Sequence, residues 1–121
     1  MRHEIHIGRN SLTTDLGVEE GVEGLGPNPH DLYDAALGAC KALTVLWYAK
    51  HKGIPVQGIE VSVERDASQE RAGIYRLSAA LSLTGNLNAA QREELLRVAQ
   101  KCPIHKLMTE VRTEISTTLS D

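Results

Sequence analysis

Hydrophobic and polar residues alternate at the start of the chain, where Ile5 and Ile7 flank His6. Gly8-Arg9-Asn10 reads as a turn into Leu12-Thr13-Thr14, which predicts an N-terminal hairpin. Residues 17–28 are rich in glycine and glutamate and read as a surface loop. At Asn28-Pro29 the period changes. Asn28 can cap a helix, Pro29 suits its first position, and Asp31 complements the positive end of its dipole. The helix is expected to run to about Lys52, with Gly53 as its stop and Pro55 beyond. From Ala35 to Ala49 it is apolar nearly all round, which predicts burial on most faces. A chain of 121 residues has difficulty covering such a helix alone, so a partner subunit is expected.

Period-2 patterning then returns. Ile59, Val61 and Val63 alternate with Glu60, Ser62 and Glu64, and Tyr75 to Leu83 alternates in the same way. Polar residues 66–73 join these two strands into an antiparallel pair with one wet face. Asn88, with Gln91 three residues later, signs a capping box for a second helix ending near Lys101. Pro103 breaks it. Residues 103–110 are expected to form a short third helix and Val111 to Leu119 a last strand. The order β-β-α-β-β-α-β is an α+β pattern, an antiparallel sheet with helices on one side, in one domain over residues 1–121.

Composition narrows the function classes. The chain is 41% hydrophobic but only 3% aromatic and lacks Phe, so Leu, Val, Ile and Ala must build the core. Thirteen basic against sixteen acidic residues give a net charge of −3, which offers no field for nucleic acid. The apolar run around residues 35–49 is interrupted by Gly38, Lys41 and Thr44, so no transmembrane helix or membrane association is expected. Met1-Arg2-His3-Glu4 leads into no apolar segment of the signal-peptide kind, and a cytoplasmic protein is expected.

The chemistry rests on two cysteines. In a reducing compartment Cys40 and Cys102 read as inert core thiols, metal ligands or redox-active groups. Cys40 lies mid-helix, with Tyr33, Ala36, Leu37, Leu43, Thr44 and Trp47 as its helical neighbours. That stripe suits a small buried hydrophobe. An unaided thiol is only about 3% ionised at pH 7, so reactivity there needs a cation from elsewhere in the chain. Lys41 points about 100° away around the helix. Cys102 precedes Pro103 and is placed to cap the third helix, where amide donors favour a thiolate. No metal site is expected: two cysteines and scattered histidines fall short of a structural zinc set, and His3 and His6 face opposite ways on a strand.

Gly26-Pro27-Asn28-Pro29-His30-Asp31-Leu32, Ala35-Ala36-Leu37-Gly38-Ala39-Cys40, Tyr48-Ala49-Lys50 and Lys52-Gly53 together resemble the central helix of the OsmC/Ohr family. These are osmotically inducible and organic-hydroperoxide-resistance proteins. Cys102-Pro103-Ile104-His105 resembles the family's second-cysteine segment, and the likeness covers residues 26–119. It implies an OsmC-like fold, an intertwined homodimer with the central helices in its interface, and a thiol-dependent peroxidase acting on organic hydroperoxides. By that resemblance Cys40 is the peroxidatic thiolate, its sulfenic acid condenses with Cys102, and a lipoyl-type dithiol reduces the disulfide. No cofactor is implied. The family's activating arginine corresponds to Arg9, and the glutamate that orients it is replaced by His30. His30, Tyr33, Leu37 and Trp47 are expected to line the substrate cleft. The alternative is a non-peroxidase relative that binds a small hydrophobic or thiol-containing ligand at the dimer cleft.

Overall fold

A computed structural model describes residues 1–16 and 26–120 of the chain. Eight of the residues expected to form the glycine-rich loop after Gly17, and Gly17 itself, lie outside the described residues. In chain order the elements are strands β1 (Arg2–Ile7) and β2 (Asn10–Asp15), helix α1 (Pro29–Lys52), strands β3 (Val56–Asp66) and β4 (Arg76–Gly85), and helices α2 (Ala89–Gln100) and α3 (Pro103–Glu110). A single 3₁₀ turn at Glu70–Ala72 lies between β3 and β4. None of the described helices is long and apolar enough to cross a membrane.

The protein is α+β, and its described residues form two two-stranded sheets, β1-β2 and β3-β4. This differs from the single sheet the pattern predicts. Val111 to Leu119, expected as a last strand, has no assigned secondary structure. A strand exists only as half of a ladder, and among the described residues none pairs with this segment. Ile115 and Leu119 on it are exposed.

The chain falls into two compact units, one of residues Met1–Ala39 and Glu60–Ser82, the other of Cys40–Ile59 and Leu83–Asp121. In the first unit, β1 and β2 form an antiparallel hairpin in the register Ile5↔Leu12 and Ile7↔Asn10. Gly8, at φ +59, takes the first central position of its two-residue turn, where a side chain would be strained. α1 begins as expected but with a stronger cap: the Asp31 amide donates to Asn28 Oδ1 at 2.8 Å and the Asn28 amide to Asp31 Oδ2 at 3.0 Å. Two orphan amides are thus satisfied reciprocally. Gly38 brings α1 against β3, since a Cβ there would come within 3.1 Å of a Val63 methyl.

In the second unit α1 ends as Gly53 predicts. Gly53 is left-handed at φ +70 and the Ile54 amide bonds back to the Ala49 carbonyl at 2.9 Å, closing the last turn. The Asn88–Gln91 capping box opens α2. Val45, Ala49, Leu95, Ala99 and Cys102 form the buried core of this unit. The helix is not covered all round: Leu43 is 66% and Trp47 63% exposed.

Candidate functional site

Cys40 and Cys102 meet at the start of α3. Cys102 is the N-cap residue of that helix, extended at φ −65 and ψ 147, with Pro103 in the first turn, so the chain bends there and α3 presents its free amides. The sequence suggests that these amides serve Cys102. In the structure these amides serve both cysteines: that of His105 favours the Cys102 thiolate, and that of Ile104 donates to Cys40 Sγ at 3.5 Å. Thr44 Oγ1 lies 3.8 Å from the same sulfur. Both cysteines are free thiols, Cys102 fully buried and Cys40 partly so. Burial pushes the Cys102 thiol up, the His105 amide works against that, and the nearby Cys40 adds to the rise. Cys102 at the N-cap and the Ile104 amide bonded to Cys40 Sγ bring both cysteines to the first turn of α3.

Beneath them sits a residue the hydrophobic pattern passes over. Lys41 is only 6% exposed, and its Nζ donates to the Ala99 carbonyl at 2.8 Å and to His105 Nδ1 at 3.2 Å. Its charge favours the Cys102 thiolate. The signal was present in the spacing: Lys41 interrupts the stripe Leu37, Val45, Ala49 at intervals of four, the inner face of α1.

The other expected site residues fall in different surroundings. Trp47 lies in the second unit, its ring 4.1 Å from that of His51, and with Leu43, Thr44, Leu46, Lys50 and Pro103 it lines an open apolar groove of about 660 Å³. In the first unit, Arg9 is exposed at the hairpin turn, while Leu37 is buried. His30 Nε2 bonds the Glu70 carboxylate at 3.0 Å. Pro29, His30, Tyr33, Glu70 and Tyr75 surround a cavity of about 380 Å³, with Tyr33 edge-on to Tyr75 at 5.9 Å.

The first unit also contains a polar cluster built around Arg65. Its guanidinium donates to Asp34 Oδ2 at 2.6 Å and to Asp31 Oδ1 at 2.7 Å, and the Tyr75 hydroxyl donates to the other Asp34 oxygen at 2.6 Å. The Asn28 amide and the Arg65 side chain hold the Asp31 carboxyl below its ordinary range. Burial, with the Asp34 hydrogen bond, pushes the Tyr75 phenol up to about 12. Arg65 continues the inward register of Ile59, Val61 and Val63, the feature of the sequence by which it could have been found. Asp31, Asp34, Gly38, Val61, Val63 and Arg65 border a cavity of about 480 Å³.

With this geometry in view, the family model described as OsmC-like protein matches residues 22–117. Solved structures share the fold. An organic hydroperoxide resistance protein from Legionella pneumophila is 26% identical, with a TM-score of 0.62 over 91% of this chain and 88% of that one. An OsmC-like protein from Mycoplasma pneumoniae is 18% identical, with a TM-score of 0.72 over 89% of this chain and 79% of that one. The organic hydroperoxide resistance protein OhrB of Bacillus subtilis is 22% identical, with a TM-score of 0.57 over 91% of this chain and 90% of that one. Comparison with curated protein sequences gives no match.

Proposed function

The chain belongs to the OsmC-like protein family, and on that premise we propose that it is a cysteine-based peroxidase that reduces organic hydroperoxides. The observation that carries the reading is the pairing of two free thiols at one helix start: Cys102 caps α3, and the amide of Ile104, two residues on, donates to Cys40 Sγ at 3.5 Å. Inert core cysteines need no such arrangement.

Cys40 acts as the peroxidatic thiolate. It attacks the distal oxygen of the hydroperoxide, the O–O bond breaks, and the alkoxide leaves as an alcohol after taking up a proton. Cys40 is then a sulfenic acid. Cys102 attacks that sulfur and displaces hydroxide, which becomes water, and a disulfide forms. A dithiol of the lipoyl type returns both thiols and is itself oxidised to a disulfide. Arg9 supplies the cation that serves the Cys40 thiolate, and His30, Tyr33, Leu37 and Trp47 contribute to holding the organic group. The active form is a homodimer. The exposed apolar residues Leu43 and Trp47 support this, as does the unpaired apolar alternation of Val111, Ile115 and Leu119. Loss of Leu43 and Trp47 from water would favour association.

One equivalent of cumene hydroperoxide per chain tests the proposal. Both free thiols should disappear together, and the oxidised protein should carry an intramolecular Cys40–Cys102 disulfide by peptide mapping. Two thiols that survive the treatment would refute it.

A further inference from the structure

A lysine buried in an aliphatic stripe is costly, because an ammonium loses its hydration there and must be repaid by hydrogen bonds. Lys41 is bonded by groups from two other helices of its unit, the Ala99 carbonyl of α2 at 2.8 Å and His105 Nδ1 of α3 at 3.2 Å. An ammonium has only donors, so Nδ1 accepts and the imidazole proton lies on Nε2. The Ala99 carbonyl alone would give Lys41 a structural role at the end of α2. The bond to His105 does more: it ties the ammonium to the first turn of α3, the turn that Cys102 caps.

We propose that Lys41 is a positioning residue for Cys102: its buried ammonium, fixed by Ala99 and His105, stabilises the Cys102 thiolate as it attacks the Cys40 sulfenic acid. The proposal rests on the peroxidase reading given above. In that step the Cys102 sulfur forms the S–S bond, the S–O bond of Cys40 breaks, and the departing hydroxide becomes water. A thiolate is required, yet Cys102 is fully buried, and its burial and Cys40 both disfavour the charge while the His105 amide and, after it, the Lys41 charge favour it. Other groups bear on the same thiol. Lys101 comes from the end of α2, and His105, Lys106 and Glu110 come from α3; all four line a polar cavity of about 490 Å³ together with Cys102. Among them Lys101 and Lys106 are exposed, and their charges are screened by water. Lys41 is the cation held away from solvent.

The test separates this role from peroxidase activity itself. In Cys40→Ser protein Cys102 is the sole thiol, and ultraviolet thiolate absorbance against pH reports its ionisation. Adding Lys41→Met or Lys41→Gln should raise the midpoint by about one pH unit, as loss of a nearby opposite charge does. Lys41→Arg should largely retain it, and a thermal melt of each variant identifies those that fold. In the two-cysteine protein, Lys41→Met or Lys41→Gln should leave sulfenic acid formation unchanged. Disulfide closure should slow roughly tenfold below the midpoint, where one unit is tenfold in thiolate. An unchanged midpoint in a folded Lys41→Gln protein overturns the proposal. The titration needs no peroxide, so a protein that no hydroperoxide oxidises would remove the peroxidase reading while the charge role of Lys41 is still decided.

Discussion

Replacing Asp34 by Ala removes one carboxylate that serves two partners. Asp34 is buried, and it accepts from Arg65 and from the Tyr75 hydroxyl, each at 2.6 Å. Hydrogen bonds to a charged group contribute about 1.5–3 kcal/mol each. The Arg65 side chain is 30% exposed, so its share is discounted for screening, and it keeps Asp31 as a second partner. The expected loss is therefore about 3 kcal/mol, most of it from the orphaned Tyr75 hydroxyl. With an unfolding entropy of about 2.1 cal/mol/K per residue over 121 residues, Tm should fall by roughly 12 °C. Differential scanning calorimetry reads this, and Asp34→Asn, which keeps an acceptor without the charge, should fall in between. A second readout is independent of stability. The Tyr75 phenol, pushed up to about 12 first by burial and then by its bond to Asp34, should titrate lower once that bond is gone. The sign is consistent with its contribution to stability, which is present below the ordinary phenol value near 10 and lost as pH rises towards 12. A Tm within about 3 °C of wild type, with Tyr75 titration unmoved, would refute the assignment of Asp34 as the anchor of this cluster.

Cys102→Ser should leave Cys40 as a sulfenic acid after one equivalent of hydroperoxide, trapped by dimedone, and excess peroxide should carry it to the sulfinic acid; no dimedone adduct would count against the order of the two cysteines. Arg9→Ala should slow the oxidation of Cys40 roughly tenfold or more, the scale on which loss of one charged donor acts, while His30→Glu should speed it; rates unchanged in both variants would remove Arg9 from the mechanism. Light scattering at micromolar concentration should give the mass of two chains, and Trp47→Glu should shift the protein towards one chain. A stable folded monomer of wild type contradicts the dimer.

Local signals were legible wherever they reside in a few adjacent residues. Asn28-Pro29, Gly53 and Asn88 with Gln91 set the bounds of α1 and the start of α2, because caps and stops are chemistry between near neighbours. The alternation at Ile59–Val63 and Tyr75–Leu83 located β3 and β4 but stopped short of Arg65, since a charged residue on an inward position reads as the end of a strand. Its partners Asp31 and Asp34 lie more than thirty residues away, and no pattern along the chain pairs them with it. Lys41 was hidden in the same way, since its partners Ala99 and His105 come from α2 and α3. Val111 to Leu119 has the composition of a strand, but alternation cannot supply the neighbour that a ladder requires. The meeting of Cys40 with the Ile104 amide, across sixty-four residues, is likewise a property of the folded chain.

The most direct measurement of the central claim is steady-state consumption of cumene hydroperoxide with dihydrolipoamide as reductant, comparing wild type with Cys40→Ser. The account predicts turnover in the wild type, saturable in hydroperoxide, faster than with hydrogen peroxide, and abolished in Cys40→Ser. Equal consumption by wild type and Cys40→Ser, or no consumption above the protein-free rate, would contradict it.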